Sequence, residues 1–138
     1  MPNDLVSAMS SAASGLRAQT VRIRVSAENL ANASSTGETP GADPYRRKAP
    51  VFKSYLDGET NSERVKVSGV RGDMSPFPVK YDPSNPAADA DGMVKMPNVS
   101  ALVEMTDLRE AQRAYEANLN VVETSRAMLL SAVELLKA

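Results

Sequence analysis

The sequence predicts a mainly α fold with a small β element, in which long N- and C-terminal helices pair as a coiled coil and flank a central β-hairpin and loop region. Three observations predict it. Apolar residues near both ends recur at every seventh position, Gly and Pro concentrate in the middle, and that middle contains a run of alternation. The chain divides accordingly into an N-terminal helix over 1–34, a Pro/Gly-rich central region over 35–97 and a C-terminal helix over 98–138.

Residues 4–31 carry the first helix, with Asn3 or Asp4 placed to accept a bond from a free amide of the first turn. Its apolar positions are Leu5, Met9, Ala12, Leu16, Ile23 and Leu30, with Gln19 in the gap. Steps of three and four residues give a period near 3.5, the narrow seam of a coiled coil. Gly15 weakens the helix by up to ~1 kcal/mol relative to Ala, yet lets a neighbouring backbone come close. The pattern fades at Asn32-Ala33-Ser34-Ser35-Thr36-Gly37.

The second helix is predicted over 98–137, after Pro97 and with Asn98 as its cap. Leu108, Tyr115, Val122, Leu129 and Leu136 repeat every seventh residue. Met105, Leu119 and Val133 flank them on one side, and the small residues Ala111, Asn118, Ser125 and Ala132 on the other. At 1.5 Å per residue this helix is roughly 60 Å long, against about 40 Å for the first.

Between the helices, Arg64-Val65-Lys66-Val67-Ser68-Gly69-Val70 alternates as a strand does. A second strand is expected within 45–56, where Pro50 marks an edge or bulge, and Asp57-Gly58 supplies part of the turn. Residues 82–91 read as an extended loop.

Composition narrows the chemistry. The 138 residues include 16 basic and 17 acidic side chains, and this balance calls for neither nucleic acid nor an anionic membrane. With no Cys and no His, thiolate catalysis, disulfides and the commonest general base and metal ligand are all missing. Arg71-Gly72-Asp73 is a three-residue coincidence. Asp89-Ala90-Asp91-Gly92 fails as a calcium loop, because Ala87 and Asn98 fall where ligands belong. Glu59 and Glu63 show no pocket for acid–base work. No cofactor, metal or catalytic residue is expected, no apolar run reaches the ~18 residues of a membrane span, and the start Met1-Pro2-Asn3-Asp4 has no basic n-region of a secretory signal.

Aromatics are only 4% of the chain and Trp is absent, so the seams must be built from small aliphatic residues. Two helices joined by so thin a seam need company. The residues thus predict a subunit whose ends order against neighbours, with a cytosolic helical adaptor as the rival from another class.

Several motifs carry a family resemblance. Ser14-Gly15-Leu16-Arg17-Ala18-Gln19, continuing to Ala27-Glu28-Asn29-Leu30-Ala31-Asn32, resembles the amino-terminal signature of flagellar rod and hook proteins. Pro44-Tyr45-Arg46-Arg47-Lys48, Tyr81-Asp82-Pro83, Met96-Pro97-Asn98-Val99 and Ala111 to Asn118, which includes Tyr115, are similar to the proximal members of the flagellar basal-body rod family. The loop 37–43 departs by lacking a Gly-Tyr pair, and Met93 stands where an aromatic is usual. The resemblance implies a non-enzymatic structural subunit of a hollow, torque-transmitting axle that spans the periplasm. It further implies packing against copies of itself and other rod proteins, and export through the flagellar secretion apparatus without a cleavable signal. A distal-rod or hook-junction protein is the alternative within the family.

Overall fold

The computed structural model describes residues 2–138. Helix α1 spans Pro2–Ala31 and helix α2 spans Ala101–Lys137. Between them lie two antiparallel hairpins: β1 (Lys48–Asp57) with β2 (Ser62–Gly72), and β3 (Val79–Tyr81) with β4 (Met93–Lys95). Strand β2 covers the alternating stretch 64–70, and β1 overlaps the 45–56 segment where a second strand is expected. The second hairpin was not foreseen: three-residue strands are too short to display a period, so β3, its loop and β4 look alike in sequence.

Local chemistry sets the helix ends. Pro2 tolerates the first position of α1 because its missing N–H has no helical partner there. Asn3 and Asp4 therefore lie inside the first turn, and neither caps the helix from outside. The start of α2 differs from expectation too. Asn98 does not cap it; the helix begins at Ala101 after an extended Ser100 (φ −97°, ψ 111°) that makes no side-chain cap bond. The carboxamide of Asn98 is committed elsewhere, accepting from the Arg47 N–H at 2.8 Å and donating to the Asp73 carbonyl at 2.9 Å.

The helices run antiparallel. Asn29 meets Glu104, Arg22 meets Asp107 and Glu110, and Gly15 sits against Asn118, so position falls along one helix as it rises along the other. Continued to the start of α1, this register leaves roughly the last six residues of α2 overhanging by ~9 Å.

On its other side α1 carries the first hairpin. The Ser7 and Ser11 hydroxyls donate to the carbonyls of Thr60 and Glu63 at 2.9 and 2.7 Å, and the Ser14 hydroxyl accepts from the Val65 N–H at 3.1 Å. Strand β2 therefore runs parallel to α1. Eleven strand residues at ~3.3 Å each cover about the same length as the helix from Ser7 to Glu28 at 1.5 Å per residue, which lets one strand follow one helix face. A bulge at Val51/Phe52 gives β2 one extra residue, Ser68, and it directly follows Pro50.

The core is thin and made of small side chains: Ala12, Ala18, Val25 and Ala111 between the long elements, with Ala87 and Val94 under the second hairpin. In that hairpin Gly92 has φ +76°, and a Cβ there would lie 2.9 Å from the Tyr81 ring and 3.2 Å from Pro83. Tyr81-Asp82-Pro83 thus folds over a position that suits glycine on two counts.

Candidate functional site

Two features stand out, a polar node that locks the three layers together and a helix face left open.

The node is built around Asn29 and Glu104, both almost fully buried. Asn29 donates to Glu104 Oε2 at 3.1 Å and to the Lys48 carbonyl at 2.8 Å. Its amide oxygen accepts from the Tyr45 hydroxyl and the Lys48 N–H, each at 2.9 Å. Arg47 donates from Nε to the other Glu104 oxygen, and its terminal nitrogens lie 3.7 Å from Asp73 and 3.6 Å from Asp107. Asp107 also faces Arg22 at 3.4 Å. A buried carboxylate is costly unless it is paired and hydrogen-bonded, and here both oxygens of Glu104 are used. The result ties α1, α2 and the base of the β1–β2 hairpin to one point.

Electrostatics follow from these contacts. Burial, reinforced by the nearby Glu28 carboxylate, pushes the Tyr45 phenol above its ordinary value. A hydrogen bond to Glu28 raises the Lys48 ammonium. The N–H and hydroxyl of Ser75 hold the Asp73 carboxyl below the usual range, with Arg47 and Arg46 adding to the effect. Arg46 itself turns away, stacking 4.2 Å above the Phe77 ring and donating to the Asp73 carbonyl at 2.7 Å.

The motif residues therefore fall into groups. Asn29, Tyr45, Arg47, Lys48 and Asn98 converge on the node, with Pro44 buried beside Tyr45. Ser14, Gly15 and Asn118 serve α1 contacts along the seam and the hairpin, and Asn32 Nδ2 closes α1 by donating to the Glu28 carbonyl at 2.9 Å. Tyr81, Asp82 and Pro83 belong to the second hairpin. Glu104 was missed by the sequence reading. Its only local signal is its place seven residues before Ala111, in the column that continues through Asn118 and Ser125.

The seam residues divide as well. Leu5, Met9, Leu16, Ile23 and Leu30 of α1 are half-buried, as are Leu108, Tyr115, Val122 and Leu129 of α2. The most buried α2 positions are instead Glu104, Ala111 and Ser125. Met105, Leu119 and Val133 are exposed, together with Leu102, Met128 and Leu130, while Leu135 and Leu136 in the overhang are 77% and 87% exposed. Among the described residues no helix is long and apolar enough to cross a membrane.

Comparison with known proteins adds a name to this geometry. Residues 90–135 match the model of the flagellar basal body rod FlgEFG protein C-terminal family. The chain is 56% identical to the flagellar basal-body rod protein FlgC of Agrobacterium fabrum, over 92% of this chain and 91% of that protein. It is 43% identical to the protein of that name in Salmonella typhimurium (90% and 92%) and 38% identical to the one in Borreliella burgdorferi (96% and 98%).

Proposed function

The chain belongs to the FlgC family of flagellar basal-body rod proteins, and from that premise we propose how it works: as a non-catalytic subunit whose helix pair builds the wall of the rod while the hairpins lie outside it. It is a structural component of the rod in the bacterial flagellar basal body. The observation that carries the mechanism is the open face of α2. A helix that meets its own chain along one side and exposes Leu102, Met105, Leu119, Met128, Leu130, Leu135 and Leu136 needs neighbours to remove that apolar surface from water.

Its partners are copies of itself and other rod proteins. Their contacts are heterologous, one patch against a different patch, so they propagate along a helical path without closing. The Asn29–Glu104–Arg47 node supports torque transmission: it holds the hairpin to the helix pair through hydrogen bonds to the buried Asn29 and Glu104, so load on one layer reaches the others. The subunit reaches the periplasm through the flagellar export apparatus.

Deleting the gene in a motile host and isolating basal bodies tests this reading. Loss of both the rod and motility is expected, with both restored by the intact chain. Complete basal bodies that lack the chain would overturn it.

A further inference from the structure

The side of the molecule where α1 meets the hairpin base holds a groove of about 430 Å³, lined by Arg24, Val25, Glu28, Arg46, Lys48, Val70, Arg71 and Gly72. Four cations face one carboxylate there, in a chain whose formal net charge is only −1. Three of these charges are engaged: Lys48 with Glu28, and Arg46 with Phe77 and the Asp73 and Ser75 carbonyls. Arg24 and Arg71 are exposed, and among the described residues neither has a carboxylate within ion-pair distance. The groove is thus an excess of positive charge on a shaped surface, open to an anionic partner.

The same chain exposes a matching group. Asp89 and Asp91 stand in the tight turn that leads from the β3–β4 loop into β4, both exposed, and form its tip. The tip is held rigid: one oxygen of Asp89 accepts from the N–H groups of Asp91 and Met93, each at 2.9 Å, and the Gly92 N–H donates to the Asp89 carbonyl at 3.0 Å. Ion pairs between a preformed groove and a preformed tip avoid much of the ordering cost of association, and opposite charge on two different patches suits a contact that propagates.

We propose that the Arg24–Arg71 groove of one subunit receives the Asp89–Asp91 tip of a second copy of this chain. The inference rests on the rod-subunit reading and adds which surfaces meet. Asp91 offers both carboxylate oxygens for bidentate pairing with arginine and Asp89 the oxygen not held by the turn, and the contact weakens as salt rises.

The absence of Cys makes a direct test available. Full-length chains carrying Arg71→Cys and Asp91→Cys, singly and together, are expressed in the deletion host, and intact basal bodies are treated with a short thiol–thiol cross-linker. A self-dimer of this chain from the double variant alone supports the proposal, as does charge reversal at Arg71 that lowers incorporation at least tenfold and is rescued by reversal at Asp91, which leaves the Asp89 turn intact. A cross-link only to a different rod protein overturns it. So does the absence of any cross-link when the double variant is present in the basal bodies. Absence of the wild-type chain from basal bodies would instead overturn the rod-subunit reading, so the two failures are distinguishable.

Discussion

Asn29 and Glu104 are separated by 75 positions in sequence and by 3.1 Å in space. This contact fixes the axial register of the helix pair and receives Arg47 from the hairpin base. Removing one partner from a buried, hydrogen-bonded charge leaves the others uncompensated, which costs ~3–5 kcal/mol. Glu104→Ala is expected to destabilise the monomer by about that amount in urea unfolding. Asn29→Ala should have a similar effect, and the double variant should lose clearly less than the sum of the two, since both act through one network. Additive losses would mean that the node is not a unit.

Gly15 and Asn118 give a second coupled pair. A Cβ at Gly15 would lie 2.7 Å from Asn118 Nδ2 and 3.0 Å from its Cγ. Gly15→Ala is therefore expected to destabilise the wild type by ~1–3 kcal/mol through overpacking. In an Asn118→Ala background the obstruction is gone, and the same change should stabilise by up to ~1 kcal/mol through helix propensity. The reversal of sign, read from unfolding midpoints, is the measurement that matters.

How much of this was legible beforehand depends on whether the signal is local. The seventh-residue columns around Leu16 and Leu108 announced both helices and their pairing, because a helical period repeats within a few turns. The family motifs flagged Asn29, Arg47 and Asn98 without saying that they meet. Glu104 was invisible for a physical reason. A carboxylate on a helix reads as solvated until its distant partners, Asn29 and Arg47, are brought to it by the fold. Asn98 was misread as a cap for the same reason, its carboxamide being claimed by Arg47 and Asp73. The second hairpin escaped because loop geometry at Gly92, not side-chain alternation, defines it.

Acid should act on two carboxyls. The Ser75 N–H and hydroxyl hold Asp73 below its ordinary 3.8, and the Glu59 N–H, with help from Arg64, does so for Asp57. A group whose folded pKa is depressed stabilises the fold above its unfolded value and loses that contribution as pH falls through the folded one. Stability is expected to decline below about pH 4, and Asp73→Asn should make that decline shallower. At the alkaline end, Tyr45 and Lys48 are raised from 10.0 and 10.5. Their contribution is complete below those values and fades as pH climbs through the folded ones. Tyr45→Phe removes the phenol's share of that limb. Unfolding midpoints measured from pH 2 to 12 would check both limbs.

Gly92 offers a local test of the second hairpin. Alanine at φ +76° costs ~1–2 kcal/mol in backbone strain, and its Cβ also forces the Tyr81 ring aside. Gly92→Ala should speed amide hydrogen exchange across 79–95 while leaving the 15–29 stretch of α1 unchanged, because the two regions have separate cores. Loss of protection along the helix seam as well would show that the hairpin supports the helices directly.

The overhang of α2 separates folding from assembly. Leu135 and Leu136 are 77% and 87% exposed, and the register of the pair carries them past the start of α1. Surface side chains of this kind add little to a monomer, so Leu135→Gln with Leu136→Gln should change its unfolding free energy by less than ~0.5 kcal/mol. In an assembly the same leucines are worth ~1.5–3 kcal/mol each once buried, and that gain is repeated in every subunit. The double variant is therefore expected to fold, to be expressed at normal levels, and to be lost from purified basal bodies, with motility reduced accordingly. Variants that unfold would place the overhang within the monomer's own core, and variants that assemble normally would remove it from the subunit interface. A single outcome, intact folding with failed incorporation, fits a helix end whose partner is another chain.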